Sequence, residues 1–271
     1  MRVLIIGCGS IGNVLAKAAQ AMPEVDSIFF TDRSEQRASA RAMEYSKGKV
    51  TSYDDASIIR SIKEVDLVIE AASQDAARRF TPMCLERGRD IMVMSVGVFH
   101  DDAFRTASFD LARKNRARLY IPSGAVCGTD GLRSAHGRID EVHLTTTKAP
   151  TGFQDVQYLK DKGVDVNKLT RPTVLYEGPA RDCVKKFPQS INIAAALSLA
   201  GIGFEATKIR ILADPGVTRN THEIHCRSRA GRAQFVFENV PVPANPKTTY
   251  LACLSVLAAL KNIRSPYRVG T

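Results

Sequence analysis

"MRVLIIGCGSIGNVLAKAAQ", residues 1–20, decides how the first half of this 271-residue chain is read. An apolar run ends at Gly7, and glycines at 7, 9 and 12 lead into a stretch whose apolar residues recur at helical spacing. Strand, GxGxxG and helix in that order imply a dinucleotide-binding turn. Gly7 permits the tight turn, Gly9 lets backbone approach a pyrophosphate, and Gly12 lets helix and strand pack closely. The phosphates would lie at the helix N-terminus, beside Ser10 and Ile11. The motif alone is weak, because glycines also serve ordinary turns. Asp32 strengthens it, closing the next strand at the spacing of a ribose-binding carboxylate. It would accept hydrogen bonds from the ribose hydroxyls and repel a 2′-phosphate, which favours NAD. The guanidinium of Arg33 would accommodate that phosphate and keeps NADP in view. Asp32 also reads as a plain turn or helix-capping residue.

Outward from this turn, strand and helix patterns alternate. "RVLIIG", "SIFFTD", "DLVIEAAS", "DIMVMSV" and "RLYIPSG" read as strands. "GNVLAKAAQAM", "SEQRASARAMEYS", "DAARRFTPMCLERG" and "DDAFRTASFDLARKNRA" read as helices. Repeated βαβ predicts an α/β fold, a Rossmann-type doubly wound parallel sheet over residues 1–122. "EAAS" (70–73, with Ala72 and Ser73) and "SVG" (95–97) end two of its strands with small residues, which suit passage of a nicotinamide or merely close packing.

After "PSGAVCGTDG" the strands become polar and alternating: "EVHLTTTK", "KIRILAD", "HEIHCRSR" and "RAQFVFENV". Alternation predicts a sheet with one face covered and the other toward solvent or a cleft. One apolar helix, "INIAAALSLAGI", interrupts them. Residues 123–245 are expected to form a second, α+β domain. The tail, "NPKTTYLACLSVLAALKNIR", begins with an N-cap and proline signal, is read as an amphipathic helix from its start, and completes the first domain over residues 246–271.

Composition narrows the function class. The chain is 44% hydrophobic and 24% charged, ordinary for a globular protein. No run of about 18 apolar residues spans a bilayer, and the strand from Arg2 leaves no room for a leader, so no membrane and a cytoplasmic location are expected. The six cysteines have no CxxC pair, which suits reduced thiols. Thirty-eight basic against 28 acidic residues give a formal charge of +10, but the excess is spread along the chain. Its densest run, "RSRAGRAQF" (227–235), has little aromatic interleaving, which argues against nucleic acid, and the excess charge suits small anionic ligands.

Of the five histidines, His100 and His136 lie in polar loop-like stretches and His143 on an alternating strand. "THEIH" (221–225) is one residue short of HExxH, and on a strand His222 and His225 face opposite ways, so no metal is expected. His222 shares its face with Ile224 and Cys226, a pattern that serves a structural and a catalytic histidine alike. No GxSxG elbow or P-loop is present. Hydride transfer needs neither; it needs a nicotinamide, a polar group for the proton and cations for carboxylates. His222 is the candidate for the proton, and Lys148 and Arg219 are candidates for the carboxylates.

Through "GCGSIG", "EAAS", "MSVG", "ARLYIPSGAVCGTDGL", "IDEVHLTTTK", "FPQSINIAAALSLAGIGF", "ADPGVTRNTHEI" and "NPKTTYLACLSVLAAL", the chain resembles L-aspartate dehydrogenases along nearly its whole length. The resemblance implies a Rossmann domain, a second α/β domain that supports a homodimer, and NAD or NADP as cofactor. It also implies oxidative deamination of L-aspartate to oxaloacetate and ammonia through an imine, which can feed NAD biosynthesis. It places the family's histidine on His222, with Asn220 and Ile224 around it, and cofactor contacts on Ala125 and Asn192. Ser190 stands where the family often has an asparagine. Thr147 and Lys148 stand where it often has Arg-Lys, one cation fewer.

Two rivals remain at this stage. One is a related reductase of another small dicarboxylate or semialdehyde; a dehydrogenase with a phosphorylated substrate or thioester chemistry would want a catalytic cysteine, and Cys127 is the one near the expected cleft. A non-enzymatic NAD(P)-sensing regulator would keep the glycines but need no Asn-x-His-x-Ile arrangement.

Overall fold

The computed structural model describes residues 1–187, 192–242, 245–267 and 269, with backbone alone at 245–248. The chain divides into two units, Met1–Pro122 with Cys253–Pro266, and Ser123–Ala252.

The first unit carries strands β1 (Arg2–Ile6), β2 (Ser27–Thr31), β3 (Gly48–Val50), β4 (Leu67–Glu70), β5 (Asp90–Val93) and β6 (Leu119–Tyr120). They pair in the order β3-β2-β1-β4-β5-β6, all parallel. That is the strand order of a doubly wound dinucleotide-binding sheet, whose chain reversal lies between β1 and β4. Val3 to Ile6 and Leu67 to Ile69 are buried because helices cover both faces of a parallel sheet. Four of those helices are α1 (Ser10–Ala21), α2 (Glu35–Met43), α3 (Asp55–Glu64) and α4 (Gln74–Leu85). Ser34, Asp54 and Ser73 cap the last three, each side chain accepting a backbone N–H of the first turn.

β3 and α3 lie in residues 48–64, outside the strand and helix patterns legible in the sequence. β3 has three residues and no buried position, too little for a periodicity to show.

The second unit carries β7 (Ile139–Lys148), β8 (Thr173–Pro179), β9 (Lys208–Ala213), β10 (Asn220–Ser228) and β11 (Gly231–Asn239), ordered β11-β10-β7-β9-β8. All neighbours are antiparallel except β7 and β9. Strict alternation divides the faces. Val142, Leu144, Thr146, Ile209, Ile211, His222, Ile224 and Cys226 are buried on one. Val174 and Val236, respectively 40% and 55% exposed, lie on the other. The helix Asn192–Ala200 is buried from Ile193 to Ser198, as expected of one apolar all round.

The tail departs from the expectation. Asn245–Thr249 is a strand, β13, paired with β12 (Pro241–Val242), and the helix begins only at Tyr250. Pairing with a preceding strand overrides the Asn-Pro start signal, and the β-branched Thr248 and Thr249 suit the extended backbone. Cys253, Val256 and Leu260 of that helix are fully buried, the last two among Val3, Ile5, Leu15 and Ile28 of the first unit's core.

Candidate functional site

In the β1–α1 turn the three glycines divide their duties by geometry. Gly7 has φ +100°, and a Cβ there would lie 2.7 Å from the Ala71 carbonyl oxygen, at the point where β1 and β4 diverge. At Gly12 it would lie 2.1 Å from the Gly7 carbonyl oxygen, so only glycine lets α1 start this close. At Gly9 it would meet nothing within 4 Å. The protein leaves open space there, in front of a helix N-terminus with no acidic residue in its first turn. Ser10 opens α1, and Ile11 packs partly against the core.

Asp32 follows β2 with both carboxylate oxygens oriented, Oδ2 accepting the Cys8 N–H and Oδ1 the Ser34 N–H, each at 2.9 Å. Gly7, Gly9, Asp32, Arg33, Ala71, Ala72 and Ser73 line one cavity together with Arg37 and Tyr53. Space, helix terminus and oriented carboxylate fit the phosphates and ribose of a dinucleotide. Tyr53 and Arg37 were not singled out in the sequence, and only proximity to Asp32 across the fold marks them.

Glu70 was also missed, because a strand-end glutamate has no sequence signature. It is fully buried, and Oε1 accepts the N–H of Ala72 at 2.8 Å and of Ser73 at 2.9 Å and the Ser95 hydroxyl at 2.9 Å. Oε2 accepts the Ser95 N–H at 3.0 Å. Desolvation raises its pKa, opposed by these four hydrogen bonds. The carboxylate thus ties the "EAAS" wall to the "SVG" turn, the two small-residue strand ends that suit a nicotinamide passage or close packing.

In the second unit the register sets His222 opposite Thr146, and the Thr146 hydroxyl lies 3.0 Å from His222 Nδ1. His222 is 2% exposed. Lys148 is two residues beyond Thr146 and therefore on the same sheet face. Burial first, and then the Lys148 charge, push the His222 pKa down to about 3, so its imidazole is neutral near pH 7. Burial pushes Lys148 down to about 8, and its Nζ lies 5.8 Å from the Phe153 ring centroid. Asn220 begins β10 on the same face and pairs in register with Asn239. Asn239 is buried and donates from Nδ2 to the Ala125 carbonyl oxygen at 3.2 Å, which anchors the Ser-Gly-Ala turn to this sheet.

The remaining candidates spread out. Arg219 is exposed and lies 3.7 Å from Glu238 in a solvent-facing ion pair. Asn192 is the exposed first residue of its helix; Ser190, just before it, lies outside the described residues. Of the other histidines, His225 bonds Glu223 on the face opposite His222, and His143 bonds Glu141. His100 is half-buried and His136 is exposed, and their ring nitrogens bond the carbonyls of Gly97 and Gly201. Cys127 is exposed, but burial of its sulfur and the Asp130 charge raise its thiol pKa, the opposite of an activated nucleophile. Among the described residues no helix is long and apolar enough to cross a membrane.

Residues 130–263 match the family described as aspartate dehydrogenase, C-terminal, and residues 7–122 match the homoserine dehydrogenase NAD-binding domain. The chain is 43% identical to the L-aspartate dehydrogenase of Methanosarcina mazei over 274 residues, covering all of both chains. The chain belongs to the L-aspartate dehydrogenase family. Identity to the family's protein from Nitrosopumilus maritimus is 34%, covering all of this chain and 99% of the relative. A solved aspartate dehydrogenase from Thermotoga maritima superposes with a TM-score of 0.75 at 29% identity, over all of this chain and 99% of its own. A hyperthermophilic archaeal homoserine dehydrogenase in complex with NADPH shares the fold, with a TM-score of 0.58 at 14% identity and 98% of each chain covered.

Proposed function

We propose that this chain is a cytoplasmic, homodimeric L-aspartate dehydrogenase that uses NAD or NADP to deaminate L-aspartate oxidatively to oxaloacetate and ammonia through iminoaspartate, a route able to supply NAD biosynthesis. The observation that carries the reading is His222, a buried neutral imidazole sharing a sheet face with Lys148, in a chain that aligns end to end with L-aspartate dehydrogenases. Residues 1–122 with the C-terminal helix serve as the dinucleotide domain, and residues 123–245 as the catalytic and dimerisation domain. The open face of the second sheet, with Val174 and Val236 partly bare, is what the partner copy would cover.

Gly7, Gly9, Ser10, Ile11 and Gly12 hold the pyrophosphate, Asp32 the adenosine ribose, and Ala72, Ser73, Ala125 and Asn192 the remaining length of the cofactor. When bound, the nicotinamide supplies the hydride acceptor for the substrate Cα. Lys148, Arg219 and Asn220 hold the substrate, Lys148 at one carboxylate and Arg219 at the other once its exposed side chain leaves Glu238. His222 handles the proton: with Nδ1–H donated to Thr146, Nε2 keeps its lone pair and takes the proton of the water that adds to the imine. That proton then passes to the departing amine. A carboxylate placed beside Lys148 offsets the smaller of the two causes that hold His222 down, the Lys148 charge, and so shifts the imidazole upward, while burial continues to favour its neutral form.

The test is a coupled assay of aspartate oxidation and oxaloacetate amination with both cofactors. Turnover of aspartate well above other dicarboxylates is expected. Cofactor binding with no amino-acid turnover favours a nucleotide-sensing regulator and ends the proposal.

A further inference from the structure

The cavity beside the glycine turn contains a group that the dinucleotide reading does not use. Arg37, on the first turn of α2, lines it together with Arg33 and the single carboxylate Asp32. Its Nη1 lies 3.7 Å from Asp32 Oδ2, too long for a hydrogen bond but close enough for charge pairing, and its side chain is 59% exposed. Asp32 cannot swing away to admit a second anion, because both its oxygens are held by backbone N–H groups. Two arginines therefore line a cavity with one fixed carboxylate, and Arg37 is the one paired to it.

We infer that Arg37 is the ligand of a 2′-phosphate at this cavity, and that it rather than Arg33 sets how far the chain accepts NADP beside NAD. With an unphosphorylated ribose, Asp32 offers its remaining lone pairs to the hydroxyls and Arg37 stays paired to the carboxylate. With a 2′-phosphate, the Arg37 guanidinium turns from a loose, solvent-screened ion pair to an acceptor whose oxygens match its planar fork. The movement needs only side-chain rotation of a residue anchored on a helix. Arg33 lines the same cavity from just beyond β2, but among the described residues the ion pair to Asp32 is made by Arg37 and not by Arg33, so nothing holds the Arg33 guanidinium at the ribose edge. This rests on the proposed dinucleotide site, and the test separates the two.

Calorimetry on the full-length protein with adenosine 5′-diphosphate and adenosine 2′,5′-bisphosphate reads the subsite without the nicotinamide or any turnover. In the wild type both fragments should bind. Arg37→Gln should weaken the 2′,5′-bisphosphate about tenfold or more, the scale of a lost charge-assisted hydrogen bond, and leave the 5′-diphosphate within about threefold. Arg33→Gln should weaken the bisphosphate less than Arg37→Gln does. Equal loss for both fragments in Arg37→Gln, no loss for either, or a larger loss in Arg33→Gln overturns the inference while leaving the dinucleotide site standing. Failure of both fragments to bind the wild type overturns the site itself.

Discussion

The two halves of the candidate machinery are made of different material. The cavity at the β1–α1 turn is largely main chain: glycines that exist for their missing Cβ, a helix terminus, and carboxylates of Asp32 and Glu70 whose oxygens are taken by backbone N–H groups. The His222 face is side chain throughout, an imidazole and an ammonium moved from their ordinary pKa values chiefly by burial. A site of the first kind fails by steric change, and one of the second by a change of charge. Substitutions that exchange those failure modes test the contrast.

The largest effect is expected at His222. His222→Ala should lower turnover by about two to four orders of magnitude, the usual share of a positioned acid/base, with dinucleotide affinity near wild type. Steady-state rates beside thermal melts decide it: a well-folded, fully active variant removes His222 from the chemistry.

Gly9 and Gly12 should then separate binding from folding inside one motif. Gly9→Val adds a side chain that meets no protein atom, so the melt should hold while NAD affinity falls by about a hundredfold, nearly 3 kcal/mol. Gly12→Ala puts its methyl against the Gly7 carbonyl and should lower the melting temperature before any ligand is added. A Gly9→Val protein with wild-type calorimetric affinity takes the pyrophosphate away from this turn.

Charge should govern the second site. Lys148 binds a carboxylate only when protonated, and its folded pKa is about 8. Oxaloacetate affinity should therefore be flat below that pH and fall about tenfold per unit above it, following the linked proton. Lys148→Met should abolish the slope and weaken binding at pH 7. A slope that persists in that variant assigns it to another group.

The smallest effect is expected at Glu70. Glu70→Gln keeps one acceptor oxygen but turns an amide toward N–H donors, a mismatch of about 1–3 kcal/mol seen in the melt. The Michaelis constant for NAD should rise several-fold while that for aspartate stays put. Equal changes in both would make Glu70 a residue of general stability alone.

Residues 1–20 alone specify strand, turn and helix, because the requirement there is local: no side chain at three positions between two periodic runs. The same holds for the alternation that puts His222 on the face of Ile224 and away from His225. Local pattern misjudged the tail, where pairing of β13 with Pro241–Val242 outcompetes the Asn-Pro helix signal, and it passed over β3 and α3. Only the tertiary structure brings Arg37 to Asp32 and Glu70 to Ser95, sets Thr146 against His222, and joins Asn239 to Ala125 across 114 residues. Desolvation and charge proximity depend on what surrounds a group in space, and neither has a period that a one-dimensional string can carry.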